Sequence, residues 1–442
     1  MLVRSCFALL LACIPAWCQV NTSSTEAANG PADEPQLRVP PPVSGQAYPT
    51  EFAGDTEQNY WRGGFTLRSG YTNNVTGSTI PVGSMFYSFW PTIALDKVTS
   101  RLQLALSYSP GFTFYQNASG YNQADQNVKI NAQYRISPNL TVSLQEGFHK
   151  SSNILNQPNP LAASPVSGSL PTPGVAVIAP LANQTNNLMN AQLTYQLSPT
   201  GMIGGGGNFS SLSYSNPEQV SGLYNSRSAG ASVFYSRQLG EKYHTGIEYQ
   251  YQHILSSQTN SPGSQIQTQT ILAFLSIYLK PTLSISVSSG PQRYTATQQP
   301  FPPSSSWSPL LMVSIGWQGQ RTTLAANYSR TVTGGGGLNG AFHATMVGAS
   351  VNWRISRNWS TEVAANYSNH QTLTPLFLSS SGGRTLVGSV SAHRALGENL
   401  NLQFGYSWAR QNYEQIAAVA NAPNISRVFV SLNYQFSRAL QK

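Results

Sequence analysis

Charge is scarce in this chain. Lysine, arginine, aspartate and glutamate make up 9% of its 442 residues, against roughly a quarter in an ordinary soluble domain, so a surface that meets only water does not fit the composition. Long apolar runs are scarce as well. Outside the first twenty residues nothing approaches the roughly 20 consecutive apolar residues of a spanning helix, which excludes a helical membrane protein. The three cysteines, Cys6, Cys13 and Cys18, fall within the first eighteen residues. Cleavage after them leaves no thiol, and with it no disulfide, thiolate catalysis or Cys-ligated metal.

That first segment, MLVRSCFALLLACIPAWC, has one arginine, a short apolar core and a cleavage pattern at Ala16-Trp17-Cys18. It is expected to be a secretory signal peptide, residues 1–18. The stretch LLAC at 10–13 also resembles a bacterial lipobox, a weaker match because its apolar core is so short. Residues 19–58 are rich in proline and polar residues, carry six acids against the single base Arg38, and have no periodicity. They read as an acidic, disordered periplasmic arm, with a partial plug as the other reading.

What is abundant is aromatic and small: 22 Tyr, 17 Phe and 37 Gly. From residue 59 onward the chain breaks into strand-length segments of alternating polarity. In 400–408, Leu400, Leu402, Phe404, Tyr406 and Trp408 alternate with Asn401, Gln403, Gly405 and Ser407. Successive side chains of a strand point to opposite faces, so each segment has one greasy and one wet face. Short turns (DKVTS near 98, SPN near 138, SPTG near 200, LGEK near 240, KPT near 281, GQR near 320, SRN near 357, LGEN near 398) alternate with long Gly/Asn/Ser/Pro loops. The repeat of about 40 residues is a long hairpin plus a loop. About 18 strands follow, or 16 if the weak segments 201–214 and 266–279 drop out.

Strands of 10–15 residues are long enough to cross a bilayer, and in hydrocarbon a sheet must close on itself to pair its backbone. The pattern therefore predicts an all-β fold: a transmembrane, antiparallel, up-and-down β-barrel over 59–442, with tight turns at one end and long loops at the other. Tyr134, Trp317, Trp353, Trp359, Tyr434 and Phe436 have outward parity near the tight-turn ends, where amphipathic rings settle at headgroup level. The last strand, RVFVSLNYQF, alternates Val428, Val430, Leu432, Tyr434 and Phe436 with polar residues. Over residues 60–436 the chain resembles bacterial outer-membrane β-barrel proteins of the porin-like kind, and this strand resembles their C-terminal assembly signal, although SRALQK follows the closing aromatic. The resemblance implies a Gram-negative outer membrane, with the lipid bilayer and the outer-membrane assembly machinery as partners, and a homo-oligomer is common among such proteins.

Catalytic patterns are thin. GGGLNG at 335–340 matches G-x-G-x-x-G, yet strands flank it and no helix follows to present N–H groups to a phosphate. The six histidines, His149, His244, His253, His343, His370 and His393, never fall at metal-ligand spacing. His149 has Glu146 nearby, and a histidine at a loop edge is the plainer reading. No metal, no cofactor and no enzymatic activity are expected.

Charge distribution says more. Residues 59–442 hold 22 Lys and Arg against nine Asp and Glu. By strand parity Arg62, Arg68, Arg101, Lys129, Arg135, Lys242, Arg321 and Arg354 face inward, opposed by Glu248 and Glu362. An arginine on the lipid face at mid-membrane costs about 2–4 kcal/mol, a cost a wet lumen avoids. For Arg101, Arg135, Lys242 and Arg354, near the tight turns, snorkelling to headgroups serves equally well. A cationic lumen favours anions. The expectation is a passive channel for small polar or anionic solutes, constricted by an infolded loop at 150–185. Export of an acidic polysaccharide and a structural or adhesive surface barrel are the alternatives. Nucleic acid is not an expected partner, because the basic residues are spread around the barrel.

Overall fold

A computed structural model of the chain describes residues 59–439, apart from 78–79, 152–182, 216–221, 259–260, 281, 299–300, 335, 374–381 and 414–423. The expected signal peptide, the acidic arm and most of the 150–185 loop lie outside the described residues. The rest is a sheet of 18 strands: β1 (Tyr60–Thr72), β2 (Ser84–Val98), β3 (Leu102–Tyr115), β4 (Gln123–Ser137), β5 (Leu140–Ser151), β6 (Gln184–Ser198), β7 (Gly201–Tyr214), β8 (Asn225–Leu239), β9 (Tyr243–Gln258), β10 (Ser261–Lys280), β11 (Leu283–Gln298), β12 (Ser304–Gln318), β13 (Thr322–Gly334), β14 (Ala341–Arg354), β15 (Trp359–Thr372), β16 (Gly383–Ala395), β17 (Leu400–Tyr413) and β18 (Ile425–Ala439). Every pairing is antiparallel between sequence neighbours. β1 also pairs with β18, from Tyr60↔Ala439 to Thr72↔Arg427, so the sheet closes and has no edge. Across that seam Thr66 Oγ1 donates to Asn433 Oδ1 at 2.5 Å.

Alternation decides which face is which. On β1, Trp61, Leu67 and Tyr71 are exposed while Arg68 and Thr72, of the opposite parity, are buried. The same alternation on β18 leaves Val428 and Val430 exposed and Arg427, Phe429 and Ser431 buried. The greasy face is the outer wall. Ring contacts reinforce it at the tight-turn end, where Trp61 meets Phe436 at 5.5 Å and Phe65 meets Tyr434 at 5.5 Å. Such a wall, on strands longer than the roughly 9–11 residues a crossing requires, is that of a membrane-spanning barrel.

Three boundaries differ from the sequence expectation. β9 and β10 run to Gln258 and from Ser261, so the segment 256–264 is nearly all strand rather than a long loop. Above the apolar part of β10 its outward residues are Gln265, Gln267 and Gln269, as suits a hairpin that projects beyond the bilayer. β10 is apolar on both faces because its inward Leu272 packs with Leu310 and Met312, and its inward Phe274 packs with Met202 and Phe234. β18 continues three residues past Phe436, pairing Ser437, Arg438 and Ala439 with Arg62, Trp61 and Tyr60.

One outward position breaks the apolar pattern in mid-strand. Glu146 of β5 lies opposite Ile130 and Met189, between outward Leu144 and Phe148. A carboxyl there is costly in hydrocarbon, though less so than arginine. Glu146→Leu is expected to stabilise the barrel by about 1–2 kcal/mol, read as a higher urea midpoint in phosphatidylcholine vesicles, and an unchanged or lower midpoint would contradict the placement.

Candidate functional site

The inward face of the sheet carries many Ser, Thr, Asn and Gln, several large rings, and aliphatic patches around Ile254 and Ile266 and around Leu272, Leu310 and Met312. Four of the rings share a recurring device. Trp90, Phe234, Phe274 and Phe429 are buried, each lying against a glycine of the neighbouring strand (Gly111, Gly204, Gly246 and Gly405) at a point where a β-carbon would collide with the ring. Glycines inside strands mark such close approaches, and an aromatic laid over a glycine restores the cover it lacks. Gly147, inward on β5, has nothing within 4 Å of the place a β-carbon would occupy, so the space beside its partner Lys129 is open.

The loop-side mouth is crossed by the β13–β14 connection. β12 pairs with β13 only as far as Leu311↔Arg330, whereas β13 and β14 stay paired to Gly334↔Ala341. Above Arg330 this hairpin leaves the wall and bends inward. Gln292 of β11 accepts hydrogen bonds from the Val332 N–H at 2.8 Å and from Thr331 Oγ1 at 3.3 Å. Ala341 packs with Ile254, Ile266 and Ala296, three strands and more away. The Gly340 N–H donates to Ser264 Oγ at 3.0 Å, and the Gly337 carbonyl accepts from the Tyr224 N–H at 2.8 Å. Gly336, Gly337 and Gly340 have φ of 48°, 107° and 110°, a region that costs other residues dearly. The glycine-rich segment thus serves a tight inward bend, not a phosphate loop.

The charged positions singled out in the sequence are spread over the barrel. Arg62 faces inward and is ion-paired with Asp96. Arg68 is buried, its guanidinium 4.2 Å from the Phe429 ring centroid. Lys129, Arg135 and Arg354 have inward parity and are exposed, the last two at the tight-turn end. Arg101, Lys242 and Arg321 lie in the turns after β2, β8 and β12, outside the strands, so strand parity does not assign them a face. Glu248 is inward and buried, in register between Phe234 and Leu272. Glu362 is inward, 3.9 Å from His393 Nε2.

Sequence parity did not single out Arg427. It is fully buried on the inward face, 4.5 Å over the Phe86 ring, and its Nη2 donates to the Tyr115 hydroxyl at 3.3 Å. Its signal was available in the inward parity it shares with Phe429. With Arg68 it forms a cation–aromatic lining around the β18–β1 seam, and such stacked guanidiniums are less free to meet a solute than Lys129.

Glu146 and His149 point to opposite faces of β5 and form no pair. Ser391, His393 and Glu362 do meet on the inner wall. Ser391 Oγ lies 2.9 Å from His393 Nε2, the same nitrogen that faces Glu362. A relay needs nucleophile and carboxylate on different ring nitrogens, so this is a polar cluster of the wall. No group of three or more potential metal ligands occurs among the described residues.

The architecture is a closed, antiparallel 18-stranded barrel. No protein-family model matches the sequence, and no curated protein matches it either. Solved structures do. OccK2 (OpdF) of Pseudomonas aeruginosa is 10% identical over 86% of this chain and 98% of its own, with a TM-score of 0.43. OccK9 (OpdG) of the same organism is 11% identical over 87% of this chain and 99% of its own, with a TM-score of 0.42. The FrpB iron transporter of Neisseria meningitidis is 9% identical over 86% of this chain and 82% of its own, with a TM-score of 0.41. These likenesses concern the barrel fold only.

Proposed function

We propose that the protein is an outer-membrane channel for passive diffusion of small hydrophilic solutes, biased toward anions. The observation that carries this reading is the closed 18-stranded sheet with a greasy outer wall and a polar inner wall, a strand number at which barrels enclose an aqueous bore. Lys129, Arg135 and Arg354 supply the bias, since they are inward, exposed and without an ion pair among the described residues. Val428, Val430, Leu432, Tyr434 and Phe436, on the outward face of the closing strand, serve as the docking strand for the assembly machinery.

Liposome swelling tests the reading. Vesicles holding the folded barrel should swell in a small neutral sugar and faster in a small carboxylate of similar size. Swelling in neither, from protein whose mobility still shifts on heating, would sink the diffusion reading and favour a structural barrel or a polymer exporter.

A further inference from the structure

One carboxyl of the inner wall is buried with no counter-charge beside it. Glu248 of β9 is 1% exposed and lies in register between Phe234 and Leu272 on the neighbouring strands. Ser232 and Gln250 lean toward it, yet neither carboxyl oxygen completes a hydrogen bond among the described residues, and neither does the buried Nε2 of Gln250. The inward positions of β7, β8 and β9 hold no Lys or Arg. β10 has only Lys280, its last residue, at the tight-turn end and well beyond Leu272. His244, further down β9 on the same face, stands edge-on to the Tyr278 ring at 5.5 Å.

A carboxyl so placed is costly by itself. A buried ion needs either a partner of opposite charge or a proton, and a well-packed apolar side chain of similar volume would occupy the position without that cost. What surrounds Glu248 on its loop side is a row of neutral oxygens. Gln250 pairs in register with Ser232 on β8 and with Thr270 on β10, so two hydroxyls flank its amide one inward row above the carboxyl. Turning that amide over exchanges the unpartnered Nε2 for Oε1 without changing the shape of the side chain. The donor set is then two carboxylate oxygens, one amide oxygen and two hydroxyls. Hard cations take oxygen ligands of this kind, and one negative charge is balanced by one positive charge.

We propose that Glu248 holds a monovalent alkali cation in the inner wall, with Gln250, Ser232 and Thr270 completing its oxygen shell. The ion staples β8, β9 and β10 together from the inside. It also cancels Glu248 as a counterweight to the inward cations of the bore. The site requires the folded barrel but not conduction, so it stands or falls apart from the channel reading.

The test uses the full chain folded into phosphatidylcholine vesicles and unfolded in urea, with sodium chloride exchanged for choline chloride at constant ionic strength. A ligand bound by the folded state alone shifts the equilibrium by mass action, so each tenfold rise in sodium above the dissociation constant should raise the folded-to-unfolded ratio roughly tenfold. Glu248→Gln and Glu248→Leu should both lose that response, the second while folding in choline at least as well as the native chain, because leucine fits between Phe234 and Leu272. Equal stability of the native chain in sodium and choline would overturn the proposal, as would a sodium response that survives both substitutions. A native chain indifferent to sodium that loses stability as pH rises above the ordinary carboxylate range would overturn it too, and would identify a proton as the neutralising partner.

Discussion

Replacing residues 335–340 with Asn-Gly is expected to raise single-channel conductance by roughly twofold or more, because a segment that bends inward at the mouth would be gone while the wall stays paired. The barrel itself should tolerate the change. β13 and β14 remain in register up to Gly334↔Ala341, and Asn-Gly closes a two-residue hairpin without strain. What is lost is the bridge to Ser264 and Tyr224. A milder version releases the hairpin without shortening it. Gln292→Ala removes the acceptor shared by the Val332 N–H and the Thr331 hydroxyl, leaving a buried donor unsatisfied at a cost of about 1–3 kcal/mol, and should turn a steady current into a flickering one. Unchanged conductance in the Asn-Gly variant would mean that the narrowest point lies elsewhere.

The second large effect concerns selectivity. Lys129→Glu combined with Arg354→Glu should reverse the sign of the zero-current potential in a salt gradient, a several-fold change in the anion-to-cation permeability ratio. Both side chains are exposed on the inward face, and Gly147 leaves the space beside Lys129 open. Arg68→Gln and Arg427→Gln are the contrast. Both guanidiniums are buried against aromatic rings, so their loss should lower the unfolding midpoint and move selectivity little. If instead those two substitutions shift the reversal potential and the Lys129/Arg354 pair does not, the free cations of the bore have been assigned to the wrong residues.

Much of this barrel is legible in the sequence because both of its faces are written into it. A strand between lipid and water must alternate, so Leu400 to Trp408 disclosed their outward face directly, and the tight turns brought the strand count to 18 or 16. Legibility fails wherever a side chain meets neither solvent in the simple way. β10 is apolar on both sides because Leu272 and Phe274 pack along the inner wall, a contact between non-neighbouring positions that no local pattern carries. The direction of the 336–340 segment was hidden for the opposite reason. Glycines have no side chain to show a face, and their positive φ values have meaning only once Ser264 and Tyr224 are seen to receive the bend. Parity also misleads at the ends of strands. Arg101, Lys242 and Arg321 count as inward only if the strands reach them, and the strands stop short.

The most direct test is the single-channel current of the refolded chain in a planar bilayer under a salt gradient. Stable current steps with a reversal potential on the anion side are the predicted result. Folded, heat-modifiable protein that passes no current, or that passes cations in preference, would contradict the account of an open, anion-biased bore.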